Sequence, residues 1–405
     1  MRFLHTSDWH LGRKLYDRPR ISEQKQFLDW LLQTIIEQRI DVLLCAGDVF
    51  DSSIPPAQVM DLYYHFLFRL YQETSTTAVI IAGNHDSAVR LAAPREFLKL
   101  ARMHVIGNIA EDKKQVVVPV KKNGTEVNII ALPYVPEGEI LSHVSFESQV
   151  DSAKRYREAI KILYREAIND LPHEIPIIIM GHYFLSGSQT SESEQIIQVG
   201  GSNPLTLDDL PAEAGYVALG HLHRPQQFAR EGTPIIYSGS PIPMTFKEAR
   251  HEKNIFLFDL VADNSFEVHP ITVPVFRALV QVTGTFDQIM HEAESGDWEG
   301  KLIEVIIDLD IPRIGISDQI RKAFSEKGGE VATVQTQLLH QQDESRLSAE
   351  EVTARSPEEI FRQFYIEQYG DPDDDATRAA LSAIEKTFSE LMDLRHKNKI
   401  IEAGE

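Results

Sequence analysis

Cysteine is almost absent from the chain: Cys45 is the only one among 405 residues, and it lies inside an apolar run. A single cysteine excludes a disulfide framework, and a thiol in apolar surroundings is usually buried and inert. The sequence also has no apolar stretch near the ~18 residues that a membrane span needs, and no secretion signal at its start. These absences predict a cytoplasmic protein.

Positive charge is scarce as well, since 40 Lys and Arg face 61 Asp and Glu, a formal net charge of −21. Proteins that hold nucleic acid unaided usually carry a basic surface. Part of the acidic excess lies in the run Asp371–Asp375, and bound divalent cations would offset other carboxylates. The balance argues against tight DNA binding by this chain alone and favours a partner that supplies the basic surface.

Five short apolar runs in the chain each end on residue types that bind metal ions. The runs with the residues that follow them are Arg2–Thr6 with Asp8 and His10, Asp41–Ala46 with Asp48, Ala78–Ala82 with Asn84 and His85, Ile175–Met180 with His182, and Tyr216–Leu219 with His221 and His223. Such runs predict buried strands whose ends meet at one edge of a sheet. One such ending would be weak evidence, but five predict a shared metal site.

The residue types at these endings suit a pair of metal ions. Two cations roughly 3.5–4 Å apart can activate water and offset the charge that makes a phosphodiester resist hydrolysis. Asp48, after a central strand, is the natural bridging carboxylate. Mixed carboxylate and imidazole ligands without cysteine favour Mn²⁺, with Fe or Zn as alternatives. The predicted metal ligands are Asp8, His10, Asp48, Asn84, His182, His221 and His223.

His85 directly follows Asn84 and is better suited to the substrate than to a metal ion. An imidazole there could protonate the leaving oxygen or stabilise charge on the phosphorus, because its pKa is near neutrality. Asp86 could hold His85 in place. For Asp51 and Asp86, a part in the site and an ordinary position in a loop stay equally open.

Residues 1 to about 272 alternate apolar strands with helical patterns, which predicts an α/β domain. Residues Phe27–Ile36 and Val59–Leu70 have helical spacing, and the second helix adds Tyr64, Phe68 and Tyr71 on the face away from its core-facing stripe. That helix is either deeply buried or part of a subunit interface. Five elements follow and predict a small α+β module: a strand at Phe276–Gly284, a helix at Phe286–Glu294, a strand at Leu302–Leu309, a helix at Ile316–Ser325 and a strand at Glu330–Leu338.

The C-terminal part begins with a polar linker, Gln341–Arg355. Ser356 and Glu359 have the spacing of a helix cap. Two apolar stripes follow, which either pack back on the module or, as we favour, dock on a partner. The stripes are Ile360, Phe361, Phe364 and Tyr365, and then Leu381, Ile384, Phe388, Leu391 and Met392.

In their order, the motifs D-x-H, G-D-x-x-D, G-N-H-D, G-H and G-H-x-H resemble those of the calcineurin-like metallophosphoesterases. Several segments more closely resemble the bacterial SbcD family of nuclease subunits: Leu4–Gly12, Ser191–Glu194, Val199–Gly201, Ala218–Gln226 and Tyr237–Pro243. The resemblance implies sheets flanked by helices in a metallophosphoesterase sandwich at 1–272. It also implies a DNA-capping α+β domain at 273–341, and a linker with docking helices at 342–405.

The same resemblance assigns roles to residues. One ion would be held by Asp8, His10, Asp48 and His223, and the other by Asp48, Asn84, His182 and His221, with His85 acting on the transition state. Archaeal and eukaryotic relatives tend to carry His at the position of Asp51, which favours the bacterial branch. A homodimer would work with an SMC-type ABC ATPase of the SbcC kind, associated with the nucleoid. The implied activity is an ATP-gated double-strand exonuclease and single-strand endonuclease in DNA repair, replication and recombination.

Two other functions fit parts of the pattern. A phosphoprotein or cyclic-nucleotide phosphoesterase would share the fold, but phosphatases of that type usually follow G-D-x-x-D with Arg-Gly, where this chain has Ser52-Ser53. A structural subunit that bridges DNA ends is the other alternative. The complete ligand set argues against bridging as the only function.

Overall fold

The computed structural model describes most of the chain up to Leu338 and a few residues beyond it. The described residues are 1–109, 113–146, 150, 154–191, 193, 204–261, 264–309, 315–338, 356, 359, 361–362, 365–366, 378 and 381–389. Met1–Leu338 form one compact unit and Leu339–Glu405 a second.

Met1–Leu338 contain seventeen described strands and eight described α-helices, and residues 381–389 are also helical. The strands are β1 Arg2–Thr6, β2 Lys14–Leu15, β3 Arg18–Pro19, β4 Val42–Ala46, β5 Thr77–Ile81, β6 Met103–Ile106, β7 Val117–Lys122, β8 Thr125–Ala131, β9 Ile177–His182, β10 Ala214–Gly220, β11 Gln226–Arg230, β12 Thr233–Tyr237, β13 Asn254–Leu260, β14 Phe266–Thr272, β15 Leu279–Thr285, β16 Leu302–Leu309 and β17 Glu330–Leu338. The helices are α1 Ile21–Glu37, α2 Ala57–Glu73, α3 Ala88–Ala92, α4 Arg95–Leu100, α5 Glu137–Ile140, α6 Arg155–Ile168, α7 Phe286–Ser295 and α8 Ile316–Glu326. Within the described ranges, none of the helices has the length and apolar character needed to cross a lipid bilayer.

Two six-stranded sheets pack face to face, in the orders β14-β13-β1-β4-β5-β6 and β11-β12-β10-β9-β8-β7. Apolar side chains such as Leu44, Met180 and Ala218 fill the space between them. Helices α1 and α2 cover the outer face of the first sheet, and α6 covers that of the second. Because both faces of the central strands are buried, these strands are continuously apolar. The predicted α/β sandwich is confirmed.

Parallel pairing aligns the carboxyl ends of the strands that precede the predicted ligands. In the first sheet, β1 pairs with β4 and β4 with β5, so Thr6, Cys45 and Ile80 lie level. In the second sheet, Gly220 lies opposite His182. The loops that leave these strands therefore emerge at one edge of the sandwich, as the repeated apolar runs predicted.

A third sheet consists of β15, β16 and β17, all parallel. Helices α7 and α8 pack on it through Ile289, Ile320 and Phe324. All five elements occur in the predicted order with nearly the predicted bounds. The division of the chain at residues 272 and 341 stays a prediction.

Helix α2 is buried along one face and exposed along the other, so it is not buried all round, and its part in a subunit interface stays a prediction. Tyr63, Phe66 and Leu70 are buried in the core. On the other side of the helix, Phe68 is 55% exposed and Tyr71 is 45% exposed. Helices α3 and α4 add exposed side chains, Val89 (77%), Phe97 (79%) and Leu100 (82%).

In the C-terminal unit, the predicted helix cap is present. The Ser356 amide donates to the Glu359 carboxylate at 2.9 Å, and the Glu359 amide donates to the Ser356 hydroxyl at 3.2 Å. Phe361 stacks on Phe388 with ring centroids 4.4 Å apart, so the two predicted stripes contact each other. Of the other predicted stripe residues, Leu381 is buried, Tyr365 is half-buried and Ile384 is exposed. The remaining predictions for this part fall on residues outside the described ones: Gln341–Arg355, Ile360, Phe364, Asp371–Asp375, Leu391 and Met392.

Candidate metal centre

Several predicted site residues have backbone conformations that L-amino acids rarely adopt. Asp8, His10 and Asp48 have φ of 52°, 43° and 50°, and His221 has φ of 97°. A residue other than glycine at positive φ is strained by about 1–3 kcal/mol, and such strain clusters at functional sites. These tight turns aim the four side chains back towards the strand ends.

The loops after β1 and β4 hold each other through backbone hydrogen bonds. The amide of Asp8 donates to the Gly47 carbonyl at 3.0 Å, and the amide of His10 donates to the Asp48 carbonyl at 3.0 Å. Asp86 adds a clamp, since its carboxylate accepts from the amides of Val49 and Gly83 at 3.1 and 2.9 Å. This clamp fixes the turns that carry Asp48 and Asn84.

Asp48 is buried at the centre of the site. Its Oδ2 lies 3.4 Å from His10 Nε2 and 3.4 Å from His182 Nε2. Its Oδ1 accepts the backbone N–H of His85 at 2.9 Å. One carboxylate oxygen between two imidazoles from different sheets is the arrangement that a bridging ligand requires.

On one side of Asp48, the side chains of Asp8, His10 and His223 converge with ligand atoms within 4.8 Å of one another. His10 Nε2 and His223 Nε2 are 3.1 Å apart. Asp8 Oδ1 accepts the backbone N–H of His221 at 2.9 Å, and its other oxygen accepts from the Ser7 hydroxyl. All three converging residues are buried.

On the other side of Asp48, Asn84, His182 and His221 converge. The Oδ1 atom of Asn84 lies 2.9 Å from His182 Nε2 and 3.0 Å from His221 Nδ1. The ring of His182 is fixed from behind, because its Nδ1 donates to the Ala46 carbonyl at 2.8 Å. In a neutral imidazole the Nε2 atom then carries a lone pair facing the amide oxygen. A cation between these two acceptors makes the contact favourable, so the donor set fits a metal ion.

The electrostatics of the site also require positive charge. Burial raises the pKa of Asp8 to about 6, and the charge on Asp48 adds to that effect. Burial acts to lower the pKa of His182, but the Asp48 carboxylate outweighs it and raises that pKa to about 9. Both shifts show that the buried carboxylates draw positive charge to this centre, and a divalent ion would supply it.

His85 lies at the open side of the centre, with Asn84 and His221, where the side chains are only half-buried. Its Nδ1 donates to the Asp51 carbonyl at 3.1 Å, and its ring meets the His10 ring edge-to-face at 4.8 Å. Within the described part of the chain, its buried Nε2 has no hydrogen-bond partner. The His85 imidazole is therefore held at one nitrogen and available at the other.

Asp51 and Asp86 are both tied into the site, which resolves the choice that the sequence left open. Asp51 Oδ1 lies 3.4 Å from His10 Nδ1 and accepts from the Arg13 guanidinium at 3.0 Å. Asp86 was a candidate for orienting His85, and that suggestion is wrong. Its carboxylate holds backbone amides instead, and the Asp51 carbonyl orients His85.

Glycine is required at two close approaches in the site, one between neighbouring turns of the first sheet and one between the two sheets. A Cβ on Gly83 would lie 2.1 Å from Asp48 Oδ1, and one on Gly220 would lie 2.0 Å from the Ala46 carbonyl oxygen. Both distances are far below contact, so the turns can close on the site only without a side chain. The lack of room for a Cβ atom thus explains the glycines of the G-N-H-D and G-H-x-H motifs, Gly83 and Gly220.

Sequence reasoning missed the polar residues behind the predicted ligands. Ser193 Oγ lies 2.6 Å from His223 Nδ1, and the same hydroxyl meets the Glu248 carboxylate. Lys253 donates to Glu248 at 3.0 Å. These residues come from loops distant in sequence, and only their position in the fold connects them with His223.

Comparison with known families decides to which group this centre belongs. The model of the calcineurin-like phosphoesterases matches residues 1–225, which include all the predicted ligands. The chain belongs to the calcineurin-like phosphoesterase family. A second model, SbcD_C, described as the type 5 capsule protein repressor C-terminal domain, matches residues 275–369, which contain the third sheet. With the residue clusters, family membership supports divalent metal ions at the centre.

Among individual proteins, the chain is 31% identical to the SbcD subunit of nuclease SbcCD from Escherichia coli (strain K12) over 206 residues. It is 34% identical to the same subunit from Bacillus subtilis (strain 168) over 209 residues. The two matches cover 49% and 50% of this chain. They cover 50% and 51% of the two relatives, so the chain spans about half the length of the relatives that it matches. A solved dimetal phosphatase from Danio rerio matches 67% of this chain and 99% of its own at 12% identity, with a TM-score of only 0.39. The motif-based resemblance to the SbcD family is confirmed as a similarity.

Proposed function

We propose that the protein is a DNA nuclease subunit that uses two divalent metal ions, most suitably Mn²⁺. The observation that supports two ions most directly is the position of Asp48 between two clusters of imidazole and oxygen ligands. The similarity to the SbcD subunit of nuclease SbcCD supports a nucleic acid as the substrate, and we propose DNA. The match of the SbcD_C model to 275–369 supports a nuclease over a phosphoprotein or cyclic-nucleotide phosphoesterase of the same fold.

In this proposal the ligands divide as the resemblance implies. Two bound ions would activate the attacking water and offset the charge of the phosphate. One set is Asp8, His10, Asp48 and His223; the other is Asp48, Asn84, His182 and His221. No described ligand is a cysteine, and mixed carboxylate, amide and imidazole groups suit Mn²⁺.

His85 would act on the substrate. Its Nδ1 is occupied by the Asp51 carbonyl, while its Nε2 lies at the half-buried side without a partner among the described residues. That nitrogen can donate a hydrogen bond to the leaving oxygen when the ring is protonated. The hydrogen bond to the Asp51 carbonyl would keep the His85 ring oriented towards the leaving oxygen.

A groove beside the centre offers a path for a phosphate backbone. It has a volume of about 410 Å³, and its lining includes Arg13, Lys14 and Lys247. The opposite wall, on the third sheet, includes Gln281 and Glu304. The three basic side chains along this groove favour an extended polyanion despite the net charge of −21.

We also propose a homodimer that assembles with an SMC-type ABC ATPase, near the nucleoid, in DNA repair, replication and recombination. The exposed apolar side chains of α2, α3 and α4 support the homodimer, because large exposed apolar patches usually mark contacts. In the C-terminal unit, Ile384 is 42% exposed next to the stacked Phe361 and Phe388, which supports a docking surface.

The activity is tested by incubating the purified chain with Mn²⁺ and duplex DNA, alone and with the ATPase. We expect Mn²⁺-dependent release of nucleotides that a chelator abolishes and that ATP and the partner increase. Phosphoprotein and cyclic-nucleotide substrates serve as controls. Faster turnover of either control than of DNA would contradict the nuclease assignment.

The partner surface is tested with Ile384→Glu, and Ser382→Glu on the opposite side of the same segment is the matched control. We expect Ile384→Glu to lose co-purification with the ATPase while its metal content stays normal, because all predicted ligands precede residue 224. Unchanged binding of the ATPase by Ile384→Glu would place the docking surface elsewhere.

A further inference from the structure

A buried polar cluster lies directly behind His223. Ser193, Glu248 and Lys253 are only 8%, 3% and 6% exposed. A buried carboxylate and a buried ammonium are costly unless they are paired and fully hydrogen-bonded. Four segments of the chain converge here: the loop after β9, the loop after β10, the turn at Glu248–Arg250 and the residue before β13.

Every donor of Lys253 is used within this cluster. Its Nζ donates to Glu248 Oε2 at 3.0 Å, to the His223 carbonyl at 3.0 Å and to the Ser240 hydroxyl at 2.9 Å. The amide of Met244 also donates to Glu248 Oε2 at 3.0 Å. The ammonium and this amide hold the carboxylate in a single orientation, with Oε1 pointing to Ser193.

The proton arrangement from Glu248 to His223 follows from the donors that are available. A serine hydroxyl has one proton, and a carboxylate only accepts. Ser193 Oγ therefore donates to Glu248 Oε1, at 2.5 Å, and its lone pair accepts the Nδ1–H of His223, at 2.6 Å. This order places the proton of the neutral His223 ring on Nδ1. Its Nε2 is left with a lone pair, 3.1 Å from His10 Nε2 and next to Asp8.

The two sides of the metal centre are supported differently. Behind His10 and His223 stand the carboxylates of Asp51 and Glu248. Behind His182, the described support is the neutral carbonyl of Ala46. A carboxylate behind an imidazole fixes the tautomer and makes the ligating nitrogen more basic.

We propose that Ser193 and Glu248 are positioning residues that hold His223 as a ligand and strengthen metal binding on the Asp8–His10–His223 side of the centre. The inference rests on the proposed dinuclear site and adds an asymmetry to it. The ion on this side binds more tightly than the ion on the other side. Part of this difference in affinity comes from the hydrogen bonds that connect His223 to Glu248 through Ser193.

The test compares Ser193→Ala with Ser191→Ala by calorimetric titration of the full chain with Mn²⁺. Ser191 is the matched control, because its hydroxyl contacts Glu248 Oε1 at 3.1 Å and Ser193 Oγ at 3.0 Å, whereas it is Ser193 that meets the His223 ring. We expect Ser193→Ala to weaken the tighter binding step by roughly 10–100-fold and to leave the weaker step unchanged. Ser191→Ala should match the natural chain, and Ser193→Thr, which keeps the hydroxyl, should restore the affinity.

A purely structural role would give a different result. A folded Ser193→Ala protein that binds both ions like the natural chain would overturn the inference. If Ser193→Ala does not fold, Glu248→Gln tests the same connection, and normal affinity in that variant would also overturn it. A natural chain that binds no Mn²⁺ would instead refute the dinuclear site itself, so the two failures are distinguishable.

Discussion

Among single residues, Asp48 is held by contacts with three other residues of the site. Its backbone is in the left-handed region, its Oδ2 faces one imidazole from each side of the centre, and its Oδ1 holds the amide of His85. Burial alone would raise the pKa of Asp48, but the neighbouring His182 outweighs burial and lowers that pKa below its usual range. The carboxylate is thus ionised and ready to bind cations.

Replacing the proposed bridge should remove both ions. Asp48→Ala deletes the oxygen that faces both clusters, so we expect metal content to fall towards zero and nuclease activity to be lost. The strand before it, β4, stays apolar and buried, so the fold should survive. Elemental analysis of the folded protein measures the effect. Two ions retained by Asp48→Ala would rule the bridge out.

Replacing His85 should separate catalysis from metal binding. His85→Ala removes a side chain that contacts the Asp51 carbonyl but leaves the seven proposed ligands in place. We expect normal Mn²⁺ content and DNA binding with a rate lower by about 10²–10⁴-fold. His269→Ala, an exposed histidine on β14, is the control. Loss of metal from His85→Ala would make His85 a ligand and refute its assigned role.

The sequence revealed the residues of the centre because each follows an apolar run that could be recognised as a strand. The parts of Asp51 and Asp86 stayed open because loop carboxylates have no periodicity. Ser193, Glu248 and Lys253 could not be predicted for a related reason. Their link to His223 depends on how distant loops pack, and no local spacing encodes that.

At the level of strands and helices, parallel pairing and close approach build the site. The predicted run Asp41–Ala46 became β4 at Val42–Ala46, and Ile175–Met180 became β9 at Ile177–His182. These predicted strands differ from the observed ones only at their ends, where Asp41 and Pro176 disfavour strand pairing. The short hairpin of β2 and β3 was not predicted, since two-residue strands carry no alternation.

The contact between the turns after β4 and β5 should tolerate no extra methyl group. Gly83→Ala would press its Cβ against the Asp48 carboxylate and amide, at 2.1 and 2.3 Å. We expect a loss of about 1–3 kcal/mol in the free energy of unfolding and weaker Mn²⁺ binding. Gly138→Ala, whose Cβ would have no neighbour within 4 Å, should change stability by less than about 0.5 kcal/mol. Thermal unfolding and Mn²⁺ titration compare the two, and equal behaviour would contradict the close approach.

For the whole molecule, the composition indicates that a partner is needed, whereas the fold indicates where a partner can bind. The net charge of −21 favoured a partner, and the exposed apolar side chains now indicate where contacts can form. The helical spacing of α2 predicted a core-facing stripe, with Phe68 and Tyr71 on the other face, and the structure confirms that division. Whether the exposed face contacts a second copy stays a prediction.

The proposed homodimer depends on this exposed surface. Phe68→Glu combined with Phe97→Glu places charge on side chains that are 55% and 79% exposed, so the fold should remain intact. We expect the mass in solution, measured by light scattering, to change from that of two chains to that of one. A double variant with the same mass as the natural chain would show that these helices are not the interface.

The central claim is that one centre holds two ions, and its most direct test is the anomalous difference density of crystals grown with Mn²⁺. We predict two peaks roughly 3.5–4 Å apart with the Asp48 carboxylate between them. One peak should contact Asp8, His10 and His223, and the other should contact Asn84, His182 and His221. A single peak, or two peaks that do not share Asp48, would contradict the account.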